Sequence, residues 1–130
     1  MKPQGGSSST MRYVQSNSTI ALTEDSIYIR VDEQAQFPGG MEGLIQFLGK
    51  NVKYPAAARK ARAEGTVFLA FVVYKDGSVG DASVIKGVSP ELDGEALRIV
   101  RLFPAWIPGT VKGNAVSSRF VLPIKYKLGI

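Results

Sequence analysis

The chain contains no cysteine and no histidine. Without cysteine there is no disulfide framework and no thiolate nucleophile, which is compatible with any redox compartment. Without histidine the commonest general base and the commonest zinc ligand are gone. No apolar run approaches the ~20 residues of a membrane-spanning helix. The start, Met1 to Thr10, is rich in Ser and Gly and lacks the apolar segment of a signal peptide. An enzyme made from what remains would need carboxylates, serine or lysine, and no set is spaced for it. Ser83-Val84-Ile85-Lys86 spells S-x-x-K, but that motif works at a helix start, whereas a strand points residues three apart to opposite faces. Glu91, Asp93 and Glu95 stand at a predicted helix start, where acids are stabilising without any chemistry. Glycines 39, 40 and 43 follow no clear strand and lack the Lys-Ser/Thr of a phosphate loop. Arg59, Lys60 and Arg62 form a basic cluster with no interleaved aromatics, so it reads as a solvated face and not as a nucleic-acid surface. The expectation is a non-enzymatic chain with no cofactor and no metal.

What is present is ordinary for a globular domain: 45% apolar residues, and enough length to bury a core without staples. The net charge of +5 is uneven. Residues 1–36 hold three basic and four acidic side chains, and residues 37–130 hold thirteen and seven, so the folded part is the basic part. Such a balance suits an acidic partner and is also a common solubility feature. Residues 1–26 read as a flexible polar tail, with the domain over 27–130. Met11 follows the Ser/Gly-rich start, which leaves open whether residues 1–10 are native.

Ile27, Ile29 and Val31 predict a short strand or an extended lead-in within 26–37. Met41, Leu44, Ile45, Leu48 and Val52 recur at helical spacing and predict an amphipathic helix over 41–52. Tyr54 is extended because it precedes Pro55. Pro55 and the following alanines predict a short helix to Ala63, ended by Gly65. Thr66–Tyr74 is apolar on both faces and predicts a central strand. Lys75-Asp76-Gly77-Ser78 is a hairpin turn, and Val79–Lys86 is the return strand. Ser89 and Pro90 open a helix over 90–102. Phe103–Gly109 is an extended corner carrying the single tryptophan, Trp106, most simply a core ring. Lys112–Asn114 is a turn.

The last strand is the most informative stretch. From Val116 every second residue is apolar or small: Ser118, Phe120, Leu122, Ile124, Tyr126, Leu128. Ser117, Arg119, Val121, Pro123, Lys125 and Lys127 alternate with them, which predicts one buried and one wet face. Pro123 argues for an edge position, and the outward lysines are typical guards of such an edge. The fold class expected is α+β: a small antiparallel sheet of about three strands packed against two or more helices. An exposed edge is a liability held in check, a site for pairing with a second copy, or a rail for an extended peptide.

The ordered pieces Tyr54-Pro55 with Ala57–Arg59, Glu64–Val67, Asp76–Val79, Lys86-Gly87, Leu92-Asp93, Ala96-Leu97, Val100-Arg101, Trp106, Pro108-Gly109 and Phe120–Tyr126 resemble the C-terminal domain of TonB, the energy transducer of Gram-negative envelopes. Phe37-Pro38-Gly39-Gly40 and its helix are similar to the Bacteroidota-type variant. The resemblance implies a periplasmic domain tethered to the inner membrane by an N-terminal helix that this sequence lacks, and through it to a proton-driven motor complex. It implies that the domain takes the TonB box of outer-membrane receptors as an added strand, driving import of siderophores, cobalamin or glycans. The partner-binding residues it implies are Val116, Ser117, Ser118, Arg119, Phe120, Val121, Leu122, Ile124, Lys125 and Tyr126, with Lys53 and Tyr54 as a secondary contact. The alternatives are a homo-oligomeric structural module, or the C-terminal domain of a membrane sensor or peptidase protein.

Overall fold

A computed structural model of the chain describes residues 12–14 and 26–128. The elements run β1 (Arg12–Val14), β2 (Ser26–Tyr28), α1 (Gly40–Asn51), α2 (Ala56–Lys60), β3 (Gly65–Val73), β4 (Val79–Lys86), α3 (Pro90–Arg101), β5 (Gly109–Val111) and β6 (Asn114–Tyr126). Of the expected tail, residues 12–14 form β1, and residues 1–11 and 15–25 lie outside the described residues.

β3 is central, as its two apolar faces require. Val67, Leu69, Phe71 and Val73 on one face are all 0–1% exposed and join the main core with Leu92, Ala96, Ile99 and Val100 of α3. β4 returns along one side of β3 after a turn in which Tyr74 N–H donates to Ser78 O and Gly77 adopts φ 92°. That turn is also a docking point. Trp106 N–H donates to Gly77 O at 2.8 Å, and a Cβ on Gly77 would lie 2.5 Å from Trp106 O. α3 begins as its sequence demands: the Ser89 hydroxyl accepts from Leu92 N–H, and Pro90 occupies the first turn.

Three expectations are corrected. The sheet has six strands among the described residues, not about three, in the order β1-β2-β6-β3-β4 with β5 also on β6, and it is mixed. β1–β2 and β2–β6 are parallel, while β6–β3, β3–β4 and β5–β6 are antiparallel. The added strands are three residues each, too short for alternation to show. Lys112 and Gly113 both take positive φ, 53° and 80°, the pairing a tight two-residue hairpin needs, so the expected turn carries β5 as its first arm. Second, Gly65 does not stop α2. Arg62, at φ 57°, takes the left-handed position instead: Arg62 N–H donates to Arg59 O and Ala63 N–H to Ala58 O. Gly65, at φ 146°, opens β3.

Third, α1 is rotated from the expected face. Leu44 is buried and Phe47 and Leu48 pack on the core, but Met41 and Ile45 are 68% and 61% exposed. Phe37 sets this rotation, because its ring meets both Phe47 and Phe103, at 5.3 and 5.8 Å.

Candidate partner-binding site

β6 pairs with β3 in unbroken register from Ser118↔Val73 to Tyr126↔Gly65. The other end of the strand is taken. Asn114, Ala115 and Val116 pair with β5, and Ser117 and Ser118 pair with Ile27 and Tyr28 of β2. The edge expected to be free over Val116–Leu128 is therefore occupied by β2 at Ser117 and Ser118, and Val116 is paired with β5. Ser117 also accepts from Lys75 N–H at 2.9 Å. From Arg119 to Tyr126 no described strand lies on the side away from β3.

Proline fixes which backbone groups this open side presents. Successive residues of an antiparallel pair alternate between bonding across the pair and turning away. Pro123 stands opposite Phe68 and has no N–H, so in an unbroken ladder it belongs to a non-bonded pair. Phe120, Leu122 and Ile124 then bond toward β3, and the backbone groups of Arg119, Val121 and Lys125 turn outward. Side chains follow the same parity. Leu122, Ile124 and Tyr126 are buried, while Val121, Pro123 and Lys125 are exposed. Among the described residues Arg119 makes no ion pair, so the open side carries unpaired positive charge.

At its Arg119 end the open side widens into a groove of ≈ 570 Å³ between Arg119, Phe120 and Val121 and the lead-in residues Ile29, Gln34, Ala35 and Met41. The groove exists because the chain leaves β6 after Tyr28. Asp32 and Glu33 N–H groups then bond to Thr110 O, and Gln36 and Ile107 bond to each other, which carries the lead-in over to β5. No periodic pattern marks these lead-in residues as part of the site. The one available signal was α1, whose apolar stripe is wider than a single core face needs.

At the other end, Tyr126 and Tyr54 meet edge to face at 5.8 Å, which brings the expected secondary contact to the end of the open edge. Tyr54 donates its hydroxyl to Ala63 O and lies under Arg59, 5.3 Å from ring centre to guanidinium carbon. The acids at the start of α3 are structural. Asp93 accepts from Val88 N–H, and Glu95 accepts from Lys53 N–H at 2.7 Å and from Arg98 at 2.7 Å, while Arg98 donates to Asn51 O. Glu95 and Arg98 thus clamp the 51–53 link to α3. The Arg98 hydrogen bond, helped by that of Lys53, holds the Glu95 carboxyl below its ordinary range. Because its folded value is depressed, this clamp stabilises the fold above the ordinary glutamate range and is lost as pH falls through the folded value. Glu95→Gln is expected to flatten the acid limb of the urea midpoint against pH; an unchanged limb would mean that other carboxylates carry it. Burial, and then the Glu95 charge, push Tyr126 upward.

The sequence profile of the Gram-negative bacterial TonB protein C-terminal family matches residues 50–128. The chain is also similar to the Helicobacter pylori TonB C-terminal domain in two solution NMR structures. The first, of residues 179–285 of that protein, has 25% identity and a TM-score of 0.54, and covers 69% of this chain and 81% of that one. The second, of residues 194–285, has 26% identity and a TM-score of 0.49, covering 69% and 95%. No curated protein matches the chain. Among the described residues no helix is long and apolar enough to cross a membrane. With more than half of its length matched by the profile, the chain belongs to the TonB C-terminal family.

Proposed function

We propose that the chain is the receptor-gripping domain of a TonB-type energy transducer, acting in the periplasm as a binding module and not as an enzyme. It takes a short extended segment of an outer-membrane receptor, the TonB box, as an added strand along Arg119–Tyr126. The observation that carries this reading is the side of β6 along which, from Arg119 onward, no strand lies among the described residues, in a chain of this family. Load delivered from a proton-driven inner-membrane complex through a membrane tether would then pass to the receptor plug and admit a nutrient such as a siderophore, cobalamin or glycan.

Strand addition suits this task physically. Its affinity comes mainly from backbone hydrogen bonds worth ~1 kcal/mol each net, which tolerates varied partner sequences and so allows one transducer to serve many receptors. Arg119 and Lys125 add attraction for an acidic segment that weakens with salt. The test is calorimetric titration of the chain with a synthetic receptor TonB-box segment. Binding that one equivalent saturates, and that weakens with salt, supports the reading. No binding, with a mass that doubles as concentration rises, would point instead to pairing of the same edge with a second copy.

A further inference from the structure

The groove at the Arg119 end of the open edge is built half from inside the family domain and half from outside it. Ile29, Gln34, Ala35 and Met41 all precede residue 50, where the family match begins. Three apolar side chains line it in the open: Met41 at 68%, Ile29 at 47% and Val121 at 41% exposure. Exposed apolar groups clustered around one groove mark a surface meant to be covered. A smaller pocket of ≈ 190 Å³ adjoins it, sharing Ala35, Met41 and Phe120 and reaching Trp106.

We propose that the lead-in 29–41 is a selectivity element: it forms a side-chain subsite for the strand added to β6, and that subsite takes one bulky aliphatic side chain with a carboxylate beside it. The inference rests on the strand-addition reading above. Its geometry follows from the pleat. A residue of an added strand directly opposite Phe120 points to the same face as Phe120, and Ala35 and Met41 stand beside that ring. The next residue points to the opposite face, beside Arg119, the only charged side chain lining the groove among the described residues. The groove and the open edge share Arg119, Phe120 and Val121, so one extended segment can use both at once.

The experiment uses the full chain, labelled for NMR, and two capped ten-residue peptides of a Thr/Ser/Ala background. One carries adjacent Glu and Leu, and in the other the Leu is Ala. The expected result is that both shift the Arg119, Val121 and Lys125 amides, that only the Leu peptide also shifts Ile29 and the Met41 methyl, and that it binds about tenfold tighter, as one buried aliphatic side chain warrants. Met41→Gln with Ile29→Thr, both changed at exposed positions, is expected to erase that tenfold difference while leaving the Ala peptide unaffected. If neither peptide moves the edge amides, strand addition itself fails and takes the inference with it. If both move them equally, with equal affinity, strand addition stands and the subsite is overturned. Contacts from residues 1–25 to the Met41 methyl before any peptide is added would overturn it as well, since the occupant would be the chain's own segment.

Discussion

Replacing Trp106 by alanine is expected to lower the free energy of unfolding by about 3–5 kcal/mol, the range for removing a large buried aromatic side chain. Trp106 is 4% exposed and stands among four rings, Phe37, Phe71, Phe103 and Phe120, with centroids 5.0–5.6 Å away. Those rings come from the lead-in, β3, the corner after α3, and β6, so the indole ties the lead-in and the corner to the paired strands β3 and β6. Its backbone is tied as well, through Gly77 O at the β3–β4 turn. A domain of this size has a total stability of roughly 5–15 kcal/mol, so the variant should sit near the limit of folding. Urea unfolding followed by circular dichroism checks this. A loss under about 1 kcal/mol would contradict the core role and mark the indole as a surface ring.

Proline at two adjacent positions of β6 is expected to give opposite outcomes. At Val121 the backbone N–H turns to the open side, so Val121→Pro removes a rail donor and leaves the β3 ladder whole. The fold should persist, and affinity for an added strand should fall at least about tenfold, from a lost hydrogen bond and the clash of the ring with the incoming backbone. At Phe120 the N–H bonds toward β3, and the ring stacks on Phe71 at 5.5 Å. Phe120→Pro should therefore cost about 3 kcal/mol or more of stability and lose the fold before it loses binding. Melting temperature and peptide affinity, measured on both variants, separate these effects. A Val121→Pro variant that folds and binds as before would rule out the open side of β6 as the rail.

The parts of the fold legible in the sequence were those whose pattern repeats often enough to be counted. β3, with apolar residues on both faces, and β6, with alternation over its whole length, declared themselves, as did α3 with Ser89 and Pro90 at its start. Pro123 argues for an edge position, whereas β6 lies between β2 and β3; past Ser118 no described strand flanks it on the side away from β3. How much of that side is free was not legible, since it depends on where Ile27 and Tyr28 fall in space, and β2 is only three residues long. Ile27 and Ile29 have the same parity, yet one is 1% and the other 47% exposed, because the strand ends between them. The helical face of α1 is not legible for a similar reason: Phe37, outside the helix, decides which stripe turns inward. The candidate site was thus readable along its β6 half, and its lead-in half arises from a crossing of the chain that leaves no periodic trace.

Strand addition requires the backbone groups of Arg119, Val121 and Lys125 to be open in the free chain and closed by the added strand. Hydrogen–deuterium exchange of the free chain, followed by NMR amide by amide, addresses it most directly. The expected result is fast exchange at Arg119, Val121 and Lys125 beside slow exchange at Phe120, Leu122 and Ile124, and protection of the three outward amides once a saturating TonB-box peptide is present. Uniform slow exchange along Arg119–Tyr126 in the free chain, unchanged by peptide and by dilution, would show that the edge is already closed and would contradict it.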